Sequence, residues 1–399
     1  MNIVESADRY EAWLRTQLKD DFVEKDLKKK HKKMAADPFQ FLRATYWRWA
    51  ETIYDSKVCP QLKGAPHVLA VGDIHVENFG TWRDAEGRLI WGVNDFDEAA
   101  RMPYPIDLVR LAASAVLAGV TGISSHKICA SILDGYRQGI ERPKPFVLDR
   151  KNKELREIAV VSETARTEFW NKFDPAEVDK KQPENVTPLT PAEVPPHYGK
   201  VLRRARPDAG VAFRYFARTA GTGSLGRPRI FGAGDWQGDL IVREAKAMVC
   251  SGWVLAHHGS RNLRCEEIAT GKHRSPDPTY RLHGSVLVRR LSPNDFKIEA
   301  KESAEEEKGK KKKIPKSEQE NPKAVERPDL VNADVLYDMG RDLAAIHRGT
   351  RNRRKAIAAD LKRRNERWLL AATEAAAKAV AREHVEWKTY RDQNANDAG

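Results

Sequence analysis

Residues His67 to Leu117 read HVLAVGDIHVENFGTWRDAEGRLIWGVNDFDEAARMPYPIDLVRLAASAVL. The apolar run Val68 to Val71 ends abruptly in Gly72-Asp73-Ile74-His75, the pattern of a buried strand delivering a polar loop. A second run, Leu89 to Val93, ends in Asn94-Asp95-Phe96-Asp97-Glu98. The connection between them, Arg83-Asp84-Ala85-Glu86-Gly87-Arg88, is hairpin-turn material. The expectation is that these two runs pair and present two acidic loops at the same end of one small sheet. Asp73, His75, Asn78, Asp95, Asp97 and Glu98 would then lie together.

Such a cluster repels itself unless a cation or a hydrogen-bond network compensates. Carboxylates with one amide oxygen suit Mg²⁺, an octahedral ion that keeps waters and substrate phosphates in its shell. The plainer reading is a set of solvated hairpin-end carboxylates. The gathering of so many acids at adjoining strand ends favours a functional site over that reading.

GDIHVENFG, then VNDFDEA, then Asp107-Leu108-Val109-Arg110-Leu111 resembles an uncharacterised bacterial family grouped with the protein-kinase-like superfamily. The stretch is also similar to the catalytic region of aminoglycoside phosphotransferases and choline kinases. In those enzymes a catalytic Asp lies five residues before a metal-binding Asn, and a second metal-binding Asp follows a hairpin. The resemblance implies that Asp73 is the catalytic residue accepting the substrate hydroxyl proton, with Asn78 and Asp95 as metal ligands. Asp107 matches an acid at the start of a helix that braces the loop from beneath.

The chain has 399 residues, enough for a substantial core and two or three domains. Its N-terminus, Met1-Asn2-Ile3-Val4-Glu5, has neither the basic nor the apolar segment of a signal peptide. The longest apolar region, around Leu108 to Val120, is interrupted by Arg110 and is short for a membrane span. Cys59, Cys129, Cys250 and Cys265 are scattered, which favours reduced thiols and a cytoplasmic protein. The formal net charge is +13, with much of the excess in Lys28 to Lys33 and Lys308 to Lys313. Neither segment interleaves aromatic and basic residues, so solvated charge and an anionic substrate such as a nucleotide explain it better than nucleic-acid binding.

Residues 1 to 36 read as a polar helical segment with a basic end. Asp37-Pro38 is an N-cap and first-turn pair opening a helix over Phe39 to Tyr54, with Phe39, Leu42, Tyr46, Trp49 and Ile53 on one face. A helix follows Asp107, another spans Lys127 to Gly139, and Pro183 to Pro196 reads as a loop or linker. Further on, Ala217-Arg218-Thr219-Ala220-Gly221-Thr222-Gly223-Ser224-Leu225-Gly226 holds a GxGxxG spacing, which lets backbone amides approach phosphate. Its surroundings read as strand, turn, strand, the context of a kinase-type Gly-rich loop. Alone the motif is weak, since glycine clusters often only mark turns.

Two departures from the kinase pattern stand out. The Gly-rich loop follows the catalytic stretch, which implies circularly permuted lobe order. The strand after it should supply a phosphate-binding lysine, and the matching place holds Arg243, with Glu244 and Lys246 nearby. Ser285 to Leu291 completes a small sheet, with Arg289, Arg290 and Lys297 as phosphate contacts or solvated charges. Residues 301 to 328 have the composition of a disordered insertion, and an amphipathic helix from Ala333 ends near His347, which reads as structural.

The expected fold class is α+β, a protein-kinase-like two-lobe fold with permuted lobes and extra helices. Its expected parts are an N-terminal segment 1–36, a catalytic-loop region 37–200, a Gly-loop sheet region 201–300, the insertion 301–328 and a helical region 329–399. The expected activity is ATP- and Mg²⁺-dependent phosphoryl transfer to a hydroxyl. Asp73 and His75 are the catalytic-loop residues, and Asn78 and Asp95 hold metal. Gly221, Gly223, Ser224, Gly226 and Arg243 or Lys246 bind the nucleotide, while Asp97 and Glu98 place substrate or orient ligands. One alternative is a non-catalytic nucleotide- or RNA-binding module. The other is a metal-dependent phosphoesterase, suggested by Gly-Asp-Ile-His, although the chain has no Asn-His pair to complete that motif.

Overall fold

Four helices open the chain: α1 (Ile3–Leu18), α2 (Lys25–Ala36), α3 (Pro38–Ala44) and α4 (Tyr46–Thr52). Asn2 and Glu5 form a reciprocal capping box on α1, and Asp37 caps α3 by accepting the Gln40 N–H. The single helix expected from Phe39 to Tyr54 is two, broken at Thr45, where φ is −125° and ψ 41°. The Thr45 hydroxyl donates to the Phe41 carbonyl at 2.7 Å, and the break lets both short helices bury aromatic residues. The basic run on α2 is only partly solvated, because Lys30 is buried against the stacked rings of Tyr10 and Trp47. The structure is a computed structural model and describes residues 1–120, 122–298 and 330–396; the charged segment 301–328 lies outside them.

The central stretch forms β1 (His67–Ala70), β2 (Phe79–Arg83), β3 (Leu89–Val93) and β4 (Ala100–Pro103). Here the expected pairing is corrected. β1 pairs antiparallel with β4, and the hairpin turn joins β3 to β2 instead. The reason is that Phe79 to Arg83 is itself a strand, buried along four of its five residues despite containing Gly80 and Thr81. The two acidic loops therefore leave the ends of two different ladders.

α5 (Pro105–Ala118) starts with proline in its first turn and ends at Gly119, whose φ of 65° suits glycine. α6 (Ser125–Glu141) is capped by Ser124, and β5 (Phe146–Val147) adds to β3. α7 (Lys153–Ile158), α8 (Glu163–Phe173) and α9 (Pro175–Lys181) follow. The segment expected as a linker contributes β6 (Val186–Leu189), an edge strand, where the missing N–H of Pro188 is tolerated. After α10 (Pro196–Arg204) come β7 (Arg214–Arg218), β8 (Arg229–Trp236) and β9 (Asp239–Ala247). α11 (Gly252–His257), α12 (Cys265–Ala269), β10 (Arg281–His283) and β11 (Val286–Leu291) complete this part. The sheet is antiparallel throughout, in the order β10-β11-β9-β8-β7-β6.

α13 (Ala333–Arg348), α14 (Arg354–Arg363) and α15 (Trp368–Asn396) close the described chain. α13 crosses α6 closely, because a Cβ on Gly135 would fall 1.9 Å from the Tyr337 carbonyl oxygen and one on Gly340 would fall 2.2 Å from that of Ile132. One large apolar core joins β1–β4 to α3–α6, α13 and α15. The sheet has its own two smaller cores. α10 covers one face through Tyr198, Val201 and Leu202, and Phe173 and Val178 of α8 and α9 cover part of the other. The result is a mixed α+β fold with three separate sheets among the described residues. Among the described residues no helix is long and apolar enough to cross a membrane, and the four cysteines are buried and unpaired.

Candidate functional site

The loop after β1 turns at Gly72, with φ of +81°. A side chain there would meet the Glu98 carbonyl oxygen at 2.4 Å and the Tyr46 hydroxyl at 2.6 Å, so glycine is required. Asp107, in the first turn of α5, accepts the backbone N–H groups of Val71 at 2.7 Å and Gly72 at 3.0 Å. His347 donates Nε2–H to Asp107 at 3.1 Å and accepts the Tyr136 hydroxyl at Nδ1 at 2.9 Å. Two turns further along, Ser114 accepts the N–H of Val76 at 3.0 Å. α5 thus holds the loop at both ends, leaving Asp73 to project between them.

Asn78 joins the two acidic loops. Its side-chain N–H₂ donates to the carbonyl oxygens of Asp73 at 2.9 Å and Asp95 at 3.4 Å. With the amide nitrogen turned to the backbone, its oxygen is left for the cavity. Asp73, His75, Asn78, Asp95, Asp97 and Glu98 line one cavity of about 50 Å³. The facing wall is Gly221 to Ser224, with Arg43, Arg227 and Lys297. The Gly-rich loop comes so close that a Cβ on Gly223 would lie 3.1 Å from Asp73 Oδ2 and 3.0 Å from the Arg43 carbonyl oxygen. Gly221 and Gly226 have φ of +77° and +93°. The loop is packed against the N-terminal helices: Lys33 donates to the Thr222 hydroxyl at 3.0 Å and the Val23 N–H to the Gly226 carbonyl at 3.0 Å.

A larger cavity, about 310 Å³, adjoins the first between the six-stranded sheet and the β2–β3 hairpin. Its walls include Phe169, Phe173, Arg218, Arg229 and Arg289. These three arginines share the single buried carboxylate of Glu244, at 2.8, 3.2 and 2.7 Å. Burial opposes the charge on Glu244, and the guanidinium groups overcome it and hold its carboxyl well below the usual range. One carboxylate against three cations leaves this wall positive.

Charge in the small cavity is unevenly distributed. Burial raises the Asp73 carboxyl to about 6, against the opposing charge of Arg110, which pairs with it. Arg110 is buried, donates to the Leu42 carbonyl at 2.8 Å, and lies 5.0 Å from the ring centroids of Tyr46 and Trp49. Burial and then Arg43 depress His75 well below its usual value, so its ring is neutral; it meets Phe39 edge-on, and its Nδ1 has no hydrogen-bond partner among the described residues. Burial disfavours ionised Asp95, but the Lys246 ammonium at 3.1 Å more than compensates and keeps it charged. Lys246 also pairs with Asp97, whose carboxyl is raised by burial and by Asp95. Glu98 is engaged at both oxygens, by Arg227 at 2.8 Å and by the Gly252 N–H of α11 at 2.6 Å.

Arg243 is corrected out of the site. Side chains alternate along β9, so Glu244 and Lys246 face the cavities while Arg243 lies on the α10 side, donating to the Ala205 carbonyl at 3.1 Å. Ser224 lines the small cavity and accepts from Arg229 at 2.7 Å. Sequence reasoning missed Arg43, Arg110, Arg227 and Arg229. Only Arg110 had a local signal, its place one helical turn after Asp107.

Among the described residues, no group of three or more His, Cys, Asp and Glu side chains is arranged to hold a metal. Asn78 and Asp95 offer two oxygens, which fits a divalent cation completing its shell with phosphate and water and not a protein-only cage. Residues 22–182 match the model of a family described as an uncharacterized protein conserved in bacteria (DUF2252). That is similarity over one part of the chain. It takes in both acidic loops and Asp107 and ends before the Gly-rich loop. No curated protein and no solved structure matches.

Proposed function

We propose that this chain is an ATP- and Mg²⁺-dependent phosphotransferase of protein-kinase-like architecture with its lobes in permuted order, acting on a hydroxyl acceptor. One observation carries the reading. Gly221 to Ser224, delivered by a separate sheet, line the same cavity as Asp73, Asn78 and Asp95. A Gly-rich backbone facing an Asp–Asn–Asp set brings amide donors and metal-ligating oxygens to bear on one polyphosphate.

In this reading the larger cavity takes the nucleotide. Arg218, Arg229 and Arg289 supply the positive wall that a polyphosphate needs, and Phe169 and Phe173 offer aromatic surface to a base. Asn78 and Asp95 would hold Mg²⁺, whose charge would offset that of the phosphate oxygens. Lys246 fixes Asp95 and Asp97, a task different from the phosphate contact expected of Arg243 or Lys246. Asp73 receives the acceptor proton; with its carboxyl near 6 it is mostly ionised at neutral pH.

The test is nucleotide-dependent thermal stabilisation and ATP turnover of the purified chain, with and without Mg²⁺. Asp95→Ala should lose the Mg²⁺-dependent part of binding, while Asp73→Asn should bind and fail to turn over. Stabilisation by ATP that ignores both Mg²⁺ and Asp95→Ala would overturn the assignment. A second reading, a nucleotide-binding module without catalysis, is favoured by the pairing of Asp73 with Arg110 and by the small volume in front of it. Metal-dependent binding without turnover would select that reading.

A further inference from the structure

Three residues line both cavities: Asp95, Gly221 and Lys297. They bound the neck between the space that holds the acidic loops and the space walled by arginines. Asp95 contributes an anion and Gly221 a backbone. Of these three residues, Lys297 carries the ammonium group.

Lys297 is held there by its backbone. The segment around it lies antiparallel along β2, with an isolated bridge between Gly80 and Lys297. The Thr81 N–H donates to the Phe296 carbonyl at 2.9 Å, the Phe296 N–H to the Thr81 hydroxyl at 2.7 Å, and the Ile298 N–H to the Phe79 carbonyl at 3.1 Å. Gly80 permits this approach, since a Cβ there would lie 2.5 Å from the Phe296 carbonyl oxygen. Ile298 is fully buried, which fixes the residue after the lysine. Lys297 itself is exposed, and it lines both cavities. No carboxylate among the described residues pairs with its ammonium within ion-pair distance, although Lys246, Arg110 and Arg227 all have such partners.

We infer that Lys297 is the cation that binds the terminal phosphate of the nucleotide at the neck between the two cavities. The inference rests on the phosphotransferase reading and deepens it. With the nucleotide in the larger cavity and the acceptor hydroxyl beside Asp73 in the smaller, the transferred group must cross where Asp95, Gly221 and Lys297 meet. A point charge there touches oxygens that a triphosphate has and a diphosphate lacks.

The experiment compares binding of the imido analogue of ATP and of ADP to the full chain with Mg²⁺. A charge-assisted hydrogen bond lost from the terminal phosphate should weaken the triphosphate analogue about tenfold or more in Lys297→Met, with ADP changed less than about twofold. Lys297→Arg should recover part of the difference. Thermal melting serves as the folding control, and Met at this position should be tolerated because no ion pair among the described residues is broken. Equal losses for both nucleotides, or no loss for either, would overturn the inference while leaving the phosphotransferase reading in place. Failure of the unmodified chain to bind either nucleotide would remove both.

Discussion

Asp107 and His347, 240 positions apart in the chain, meet at 3.1 Å with solvent reaching neither. Through this contact α13 sets the helix that sets the acidic loop, because the same carboxylate holds the N–H groups of Val71 and Gly72. Asp107→Ala would leave two backbone donors and a histidine without their acceptor. Each buried group left unsatisfied costs about 1–3 kcal/mol, so a loss of about 3 kcal/mol or more in denaturant unfolding is expected. A loss below about 1 kcal/mol would mean that the loop is held by other contacts.

The Asp73 carboxyl gives a pH prediction. Its pKa is raised from 3.8 to about 6, first by burial. A folded-state pKa above the unfolded value means that the native protein binds this proton more tightly. The contribution of Asp73 to stability is therefore greatest below the unfolded value, falls as pH rises from about 4 to about 6, and is flat above that. Activity runs the other way, because a proton acceptor must be ionised. Turnover should fall on acidification through about 6, well above the range of an ordinary aspartate. A rate that stays level to pH 4.5 would show that Asp73 is not the group that titrates.

Lys246 and Arg243 should separate sharply. Lys246→Met removes the ammonium between Asp95 and Asp97, leaving two partly buried carboxylates facing each other. The variant should be less stable, should bind nucleotide more weakly, and should gain more melting temperature from Mg²⁺ than the unmodified chain does. Arg243→Met, on the α10 side of the sheet, should leave nucleotide binding within about twofold of normal. Equal effects of the two substitutions would contradict the assignment of faces on β9.

The contrast between these two residues marks how far the sequence could be read. Asp73, Asn78, Asp95 and the glycines at 221, 223 and 226 carry local signals: an apolar run ending in a polar loop, or a fixed spacing. Asp73, Asn78, Asp95, Gly221 and Gly223 do line one cavity, while Gly226 lies beside Phe22 and Leu14 outside it. The choice between Arg243 and Lys246 depends on which face of β9 looks inward, and that follows only from its pairing with β8 and β11. The same limit hid the partner of β1, since Ala100 to Pro103 has no alternation to announce a strand. Arg227 on Glu98 and Lys33 on Thr222 are contacts between distant segments, for which no local pattern exists.

Gly223 tests whether the Gly-rich loop works where it lies. Glycine clusters are usually exposed and tolerant, but here Thr222, Ser224, Leu225 and Gly226 are buried. A valine at 223 would place its Cβ 3.0 Å from the Arg43 carbonyl oxygen and 3.1 Å from Asp73 Oδ2. The first of these is backbone of α3, so the loop must lift instead, straining the Lys33–Thr222 contact at 3.0 Å. Gly223→Val should therefore cost stability of about 1–3 kcal/mol, the range for overpacking, and should weaken nucleotide binding as well. Gly64→Ala is the matched control, because nothing lies within 4 Å of the added Cβ. The two readouts distinguish packing from function. A destabilised variant that still binds nucleotide as tightly as the unmodified chain would mean that the loop only packs against α3 and does not cover phosphate. Loss of binding in Gly223→Val, at a temperature where both variants remain folded and Gly64→Ala binds normally, is the outcome that a phosphate-covering loop requires.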